Sequence, residues 1–280
     1  MSIANFIPTV WSEVLYEELS KKYIGVANCN RDFDGDVKEM GSEVKVCGVA
    51  PISVFDYVKN GIIPEPEELE ENSVTIPISH AQAFNFVVDD IDRAQAHPNL
   101  MRSAMRGAAE ALANDADAFV YSLYSEIAED HTVIDDNATY ETILDDIIKA
   151  RQLILEGGGC NASEIVLEVS PAVASLILKA KIMYGTSDNA KALDNGYLGS
   201  ICGCDVYVSH NIKYAINSSK RIFHCMMRTK RAVAFVDQLT KIDAYRPETR
   251  FADAVKGLHL YGGKVIYPNE MSVLRIAVES

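Results

Sequence analysis

Between Pro98 and about Ala128 apolar residues recur at steps of three and four without a break: Leu100, Ala104, Ala108, Leu112, Ala116, Val120, Tyr124 and Ile127. Met101, Met105, Phe119 and Leu123 widen the stripe. This is the period of one helix face, and Pro98 stands where a first-turn proline is tolerated. About 31 residues predict a rod about 46 Å long, well beyond the usual three turns. Small residues fill its first half (Ala104, Gly107, Ala108, Ala109, Ala111, Ala113), which lets a sheet approach closely. The rest of the chain has to arrange itself along that rod.

The chain ahead of the rod divides in two. Thr9 is a candidate N-cap; Trp11, Leu15, Leu19 and Tyr23 then recur every fourth residue until Gly25 ends the stripe. This arm, residues 1–35, belongs either to the core or to a contact with another subunit. Farther on, Val44, Val46 and Val49, and then the alternating Val74, Ile76 and Ile78, predict two half-exposed strands. Pro77 confines the second to a sheet edge or a bulge. Pro51, Gly61, Pro64 and the acidic run Glu65–Glu71 lie between them. Residues 36–88 therefore read as a long β-hairpin projecting from the body, too poor in apolar residues to carry its own core. Arm and hairpin are expected to present edges and apolar stripes that one copy cannot cover.

Beyond the rod the pattern is α+β. A helix over 139–156 turns Ile143, Ile147, Ala150 and Ile154 inward, and Gly157-Gly158-Gly159 stop it. Ile165–Val169 is a buried strand. Ser170-Pro171 supplies an N-cap and a first-turn proline for a helix over Ala172–Lys181. A glycine-punctuated turn region, Asp194–Cys204, precedes the strand Val206–Val208. Short strands follow near 222–226, 231–236, 264–267 and 273–278.

A chain of 280 residues, 48% apolar and 24% charged, can bury a core without disulfide or metal staples. Its net charge of −14 argues against binding nucleic acid over a broad surface. Residues 1–210 carry 14 basic and 34 acidic side chains, whereas residues 211–280 carry 12 basic and 6 acidic ones. Such polarity suits two solvated faces, or acidic and basic regions meeting between copies. No basic-then-apolar leader opens the sequence and no run of about 18 apolar residues occurs, so neither secretion nor a membrane span is expected. The six scattered cysteines read as reduced, intracellular thiols.

The motifs that could carry chemistry fail one by one. Asp32-Phe33-Asp34-Gly35-Asp36 with Glu43 imitates a calcium loop, but Val37 stands where the sharp turn needs glycine. Gly257–Val265 imitates a phosphate loop, yet Lys264 falls one residue late and no Ser or Thr follows it. Cys202 and Cys204, read as two thiols on one face of a strand, lack a second pair among His210, His224 and Cys225 to complete a zinc site. Asp89, Asp90 and Asp92 precede the rod, where carboxylates suit the positive end of a helix. No catalytic, cofactor-binding or metal residues are assigned.

Four stretches in order carry a resemblance: Ile3-Ala4-Asn5-Phe6-Ile7-Pro8 with Trp11, Phe84–Gln95 leading into the rod, the glycine-spaced Asn195–Asn211, and the closing Phe251–Val265. With the order of elements, they make the chain resemble the major capsid proteins of tailed bacteriophages, which share the HK97-like fold. The resemblance covers nearly the whole chain. It implies a non-enzymatic shell subunit with an N-terminal arm (1–35), an extended hairpin lying across a neighbour (36–88), a peripheral domain with the spine helix (89–135 and 251–280) and an axial domain (136–250).

It also implies self-assembly into hexamers and pentamers of an icosahedral head in the host bacterial cytoplasm, enclosing DNA without sequence-specific binding. A portal would be a partner, with room for a decoration protein. Some relatives carry a scaffolding domain before the arm; here the arm starts at residue 1, so either a separate scaffolding protein or a domain cleaved beforehand is expected. The crosslinking of some members would need a hairpin lysine such as Lys59, and the rest of that site is not recognisable. The rival readings are an encapsulin-like nanocompartment shell and, more distantly, a metal-dependent hydrolase using Cys202, Cys204, His210 and Asp89.

Overall fold

The computed structural model describes residues 15–33, 43–49, 56, 71–89, 100–157, 164–183, 196–217, 220–249 and 252–279. Helix α1 (residues 15–22) and the short turn after it pack against the rod, α2 (Leu100–Val120), which follows much later in the chain. Beyond it a seven-stranded sheet forms the body. Its strands are β4 (Thr132–Asp135), β5 (Ile165–Val169), β6 (Tyr197–Ile201), β7 (Cys204–Val208), β8 (Tyr214–Asn217), β9 (Lys220–Thr229) and β12 (Met271–Glu279). They run in the order β4-β12-β9-β5-β7-β6, with β8 paired to the outer half of β9. The β4–β12 and β5–β7 pairs are parallel and the others antiparallel.

Helices α3 (Ile143–Glu156) and α4 (Pro171–Met183) pack against this sheet and each other. The inward stripe of α3 is as expected: Ile143, Ile147, Ala150 and Ile154 are fully buried. Every residue of β5 is buried, which suits a strand covered on both faces. Ser170 caps α4, its hydroxyl accepting from the Val173 N–H at 3.3 Å.

A second sheet runs β10 (Val233–Tyr245), β11 (Ala252–Val265), β3 (His80–Asp89), all antiparallel. Aromatic rings fasten it to α2. Phe119 lies 4.4 Å from His80 and 5.5 Å from Tyr261 between ring centres, and His80 stacks on Tyr261 at 5.3 Å. The hairpin is a separate pair, β1 (Glu43–Val49) with β2 (Glu71–Pro77), in register from Glu43↔Pro77 to Val49↔Glu71.

Several expectations are corrected. The α-helical part of the rod ends at Val120, making it about 32 Å long, and a 3₁₀ turn over Tyr121–Glu126 replaces its last stretch. The Ser122 and Ser125 hydroxyls donate to carbonyls three residues back, at 2.6 and 3.1 Å, and such bonds compete with the α pattern. Pro98 lies outside the described residues. The helix expected from 139 starts at Ile143, after a turn in which Thr139 and Thr142 bond each other's backbone and side chains. The segment Phe84–Gln95, taken as leading into the rod, is strand as far as Asp89. The strand placed at 264–267 is the end of a fourteen-residue strand.

The largest correction concerns cover. The stripe of Leu15, Leu19 and Tyr23 is buried in the chain's own core, with Val26 and residues of α2. The hairpin root is covered too: Val44, Val46, Ile76 and Ile78 pack on Ala234, Val236 and Leu260 of the three-stranded sheet. One copy therefore closes the described parts of both elements over itself. The hairpin beyond Val49 and before Glu71, apart from Asp56, lies outside the described residues.

Candidate assembly surfaces and the arm joint

The motif residues scatter. Gly257–Val265 lies wholly within β11, so it forms no phosphate loop. Its glycines serve packing instead. A Cβ on Gly257 would overlap the Phe84 ring, and one on Gly262 would overlap the Pro77 carbonyl at the hairpin root. Cys202 and Cys204 do not share a strand face. Cys202 occupies the tight turn between β6 and β7, where it (φ 51°) and Gly203 (φ 75°) supply the two positive φ values of a type I′ hairpin. Burial pushes the Cys204 thiol up to about 11 and the Cys225 thiol up to about 12.

His224 is stacked on Tyr124, with ring centres 4.1 Å apart, and burial together with Arg275 lowers its pKa. His210 is exposed in the turn after β7. Asp32 begins a turn closed by its N–H donating to Asn30 Oδ1 at 2.9 Å. Asp34, Asp36, Lys59, Asp90 and Asp92 lie outside the described residues, and Asp89 ends β3. Among the described residues no three His, Cys, Asp or Glu side chains converge as metal ligands.

What the fold does bring together is a buried polar joint that sequence reasoning missed. Arg228 on β9 and Glu168 on β5 are both fully buried. The guanidinium donates to both carboxylate oxygens, Nε at 3.0 Å and Nη2 at 3.1 Å. It also donates to two arm carbonyls, Asn28 O at 2.7 Å and Gly25 O at 2.9 Å. Burial raises the Glu168 carboxyl, and the Arg228 charge with its bidentate pairing pulls it part of the way back. Asp117 on α2 grips the same turn from the other side, accepting from Ile24 N–H at 3.0 Å and Val26 N–H at 2.9 Å. Its burial pushes the carboxyl up to about 7 against the pull of those N–H groups.

A second knot lies on β10. Asp237 accepts from Tyr23 at 2.9 Å and Arg31 at 2.5 Å, with His259 Nε2 at 3.2 Å. Burial pushes the Asp237 carboxyl up, and His259 and Arg31 outweigh it and hold it below its usual range. Arm, rod and both large sheets thus meet in one joint. The partners stand up to 214 positions apart, so no local signal could have shown it. The charge asymmetry is partly spent here, because basic residues after 210 pair with acidic ones before it, as Arg228 does with Glu168 and Arg275 with Asp136.

The profile of the phage capsid protein family matches residues 71–276, from the return strand of the hairpin almost to the end of β12. The chain belongs to this family. No curated protein matches it. Solved structures share its fold. One from Mycobacterium phage Che8 has 24% identity and a TM-score of 0.67, covering 90% of each chain. The capsid of Ralstonia phage GP4 has 10% identity and a TM-score of 0.65, over 93% of this chain and 90% of that one. An encapsulin complex from Synechococcus elongatus PCC 7942 has 12% identity and a TM-score of 0.58, over 85% and 83%. The fold is the α+β HK97 type, and the chain is a phage capsid protein, a structural subunit of the shell.

For a capsid protein the surfaces of interest are those that one copy leaves open. All four residues of β8 are exposed, Ile216 to 72%, and among the described strands β8 pairs only with β9. At another sheet edge β4 exposes Ile134. The outer faces of α3 and α4 add Ile148 and Leu178. Unpaired edges with apolar side chains are where strands and helices of other copies can be received.

Proposed function

We propose that this capsid protein assembles, as hexamers and pentamers, into an icosahedral head that encloses DNA without reading its sequence. The observation that carries the reading is the family match across 71–276, which takes in the rod, the three-stranded and seven-stranded sheets and the return strand of the hairpin. The role is structural, with no catalytic, cofactor or metal residue. Assembly takes place in the host bacterial cytoplasm, with a separate scaffolding protein and a portal, and with room for a decoration protein. These partners follow from the family resemblance alone.

The working division keeps the arm (1–35), the hairpin (36–88), the peripheral domain (89–135 and 251–280) and the axial domain (136–250). Strand β10 lies in the axial segment by position and pairs with β11, so residues 233–245 are the strap between those two domains. The net charge of −14 suits a container whose wall must not hold packed DNA tightly.

Negative-stain microscopy of the purified protein, expressed with and without its neighbouring genes, tests this reading. Closed polyhedral particles protecting DNA from nuclease are expected when a portal and packaging machinery are present. Particles that instead retain a single enzyme would favour the encapsulin-like alternative, which shares the fold. A protein that stays monomeric at all concentrations would reject both.

A further inference from the structure

The seven-stranded sheet ends at β4, whose last residue, Asp135, meets Asp146 in the first turn of α3. The Thr142 hydroxyl at the head of α3 bonds Asp135 and so sets the two carboxyl groups as neighbours that influence each other's titration, although ionised carboxylates can only accept. Asp135 has donors of its own: the Asn137 N–H at 2.8 Å and the Thr142 hydroxyl at 2.9 Å. Asp146 is less well supplied. Its side chain is 7% exposed, Lys149 Nζ stands 3.6 Å from Oδ1, and Oδ2 has no donor. Two acceptors turned towards each other need something between them. We propose that Asp135 and Asp146 hold one proton between them, and that losing it loosens edge strand β4 from α3.

The surrounding charges leave that place to a proton. Lys149, on α3 itself, is 65% exposed and solvated. Asp136, next to β4, faces Arg275 of β12 at 3.9 Å, and its carbonyl accepts from Lys220 of β9 at 2.8 Å. From the turn before β4, His131 Nδ1 lies 3.2 Å from the Met271 carbonyl, and Glu129 and Asp130 are exposed. Glu270, in the turn before β12, is occupied by Thr229 and Arg231. On α4, Lys181 donates to the Ser200 carbonyl.

Burial, with help from Asp135, raises the Asp146 carboxyl to about 6. Burial also pushes Asp135 up, but its Asn137 and Thr142 donors outweigh this and hold it low. An unfolded aspartate takes up its proton only near pH 3.9. Between about pH 4 and 6 the folded chain therefore binds the extra proton. The stability it brings is complete below that window and lost as the pH rises through 6.

Urea unfolding of the full chain between about pH 4.5 and 8, at one fixed assembly state, tests this inference. The unfolding equilibrium constant of the wild type should rise over this range by about 25-fold more than that of Asp146→Asn, whose amide donates to Asp135 at every pH. Infrared spectra should show a carboxylic-acid carbonyl that titrates near pH 6 in the wild type and is lost from the Asp146→Asn difference spectrum, in which only the band of Asp117, centred near pH 7, remains. If Asp146→Asn does not fold, the same band compared between wild type and Asp135→Asn decides. Parallel pH profiles, or a carbonyl band unchanged in both variants, would overturn the inference. So would calcium restoring the wild type at pH 8 to its stability at pH 5, since a cation would then fill the gap. The outcome does not depend on whether shells form.

Discussion

The body sheet and the hairpin solve the same problem at different depths. In the body, β5 is buried along its whole length, α3 lays a fully buried stripe on the sheet, and the Arg228–Glu168 pair sits between strands with no exposure at all. At the hairpin root, four aliphatic side chains rest on Ala234, Val236 and Leu260, two of which lie on the strand that also forms the strap. The body is covered deeply, by α3 and by its own neighbouring strands. The hairpin has a thin cover of modest side chains and can part from it at lower cost. A shell subunit needs that division of labour: a fixed block and an attached element able to change its bed.

The sharpest way to break the comparison is at the joint. Arg228→Ala leaves Glu168 buried without its partner and strips donors from Gly25 and Asn28; a loss of about 3–5 kcal/mol is expected in urea unfolding. A loss below about 1 kcal/mol would mean that the arm is not fastened there. Next come paired truncations. Ile147→Ala on α3 should lower global stability by about 2–5 kcal/mol. Ile76→Ala at the hairpin root should instead speed hydrogen exchange in residues 71–77 and leave the global transition nearly in place. Equal global losses would show that root and body unfold as one unit.

Gly262→Ala should act in the same local way, because its methyl group would meet the Pro77 carbonyl and lift the root from β11. Exchange over 71–78 should rise while β5 and β9 stay protected. The smallest effect is expected at the β6–β7 turn. Cys202 holds φ 51°, and Cys202→Asn, the residue favoured before glycine in such turns, should stabilise by about 0.5–1 kcal/mol. A loss of stability would mean that the Cys202 side chain has a packing role its half-exposure does not suggest.

Much of the fold is legible in the sequence where one period dominates. The stripe of α3, the apolar run of β5, the Ser170-Pro171 start of α4 and the two strands of the hairpin all follow from local pattern. Where glycine and polar residues interrupt a strand, the reading fails. Gly257, Gly262 and Gly263 look like loop residues, yet they lie in β11 because Phe84, the hairpin root and Phe119 press against them. Strand β3, His-Ala-Gln-Ala-Phe-Asn-Phe-Val-Val-Asp, alternates in the manner of a half-exposed strand, but its place after the second hairpin strand put it with the hairpin, whereas it pairs with β11. The joint was out of reach for another reason. Arg228 has no distinguishing neighbours in sequence, and only the pairing of β5 with β9 sets it beside Glu168.

The grip of Arg228 on two carbonyls of the arm also orders events during synthesis. The arm leaves the ribosome well ahead of β9, and the side chain that holds Asn28 is added 200 residues later. Until β9 has emerged and paired with β5, the turn at Gly25–Asn28 has only the rod, with Asp117, to hold it. An early part of the chain is thus among the last to be fully fastened.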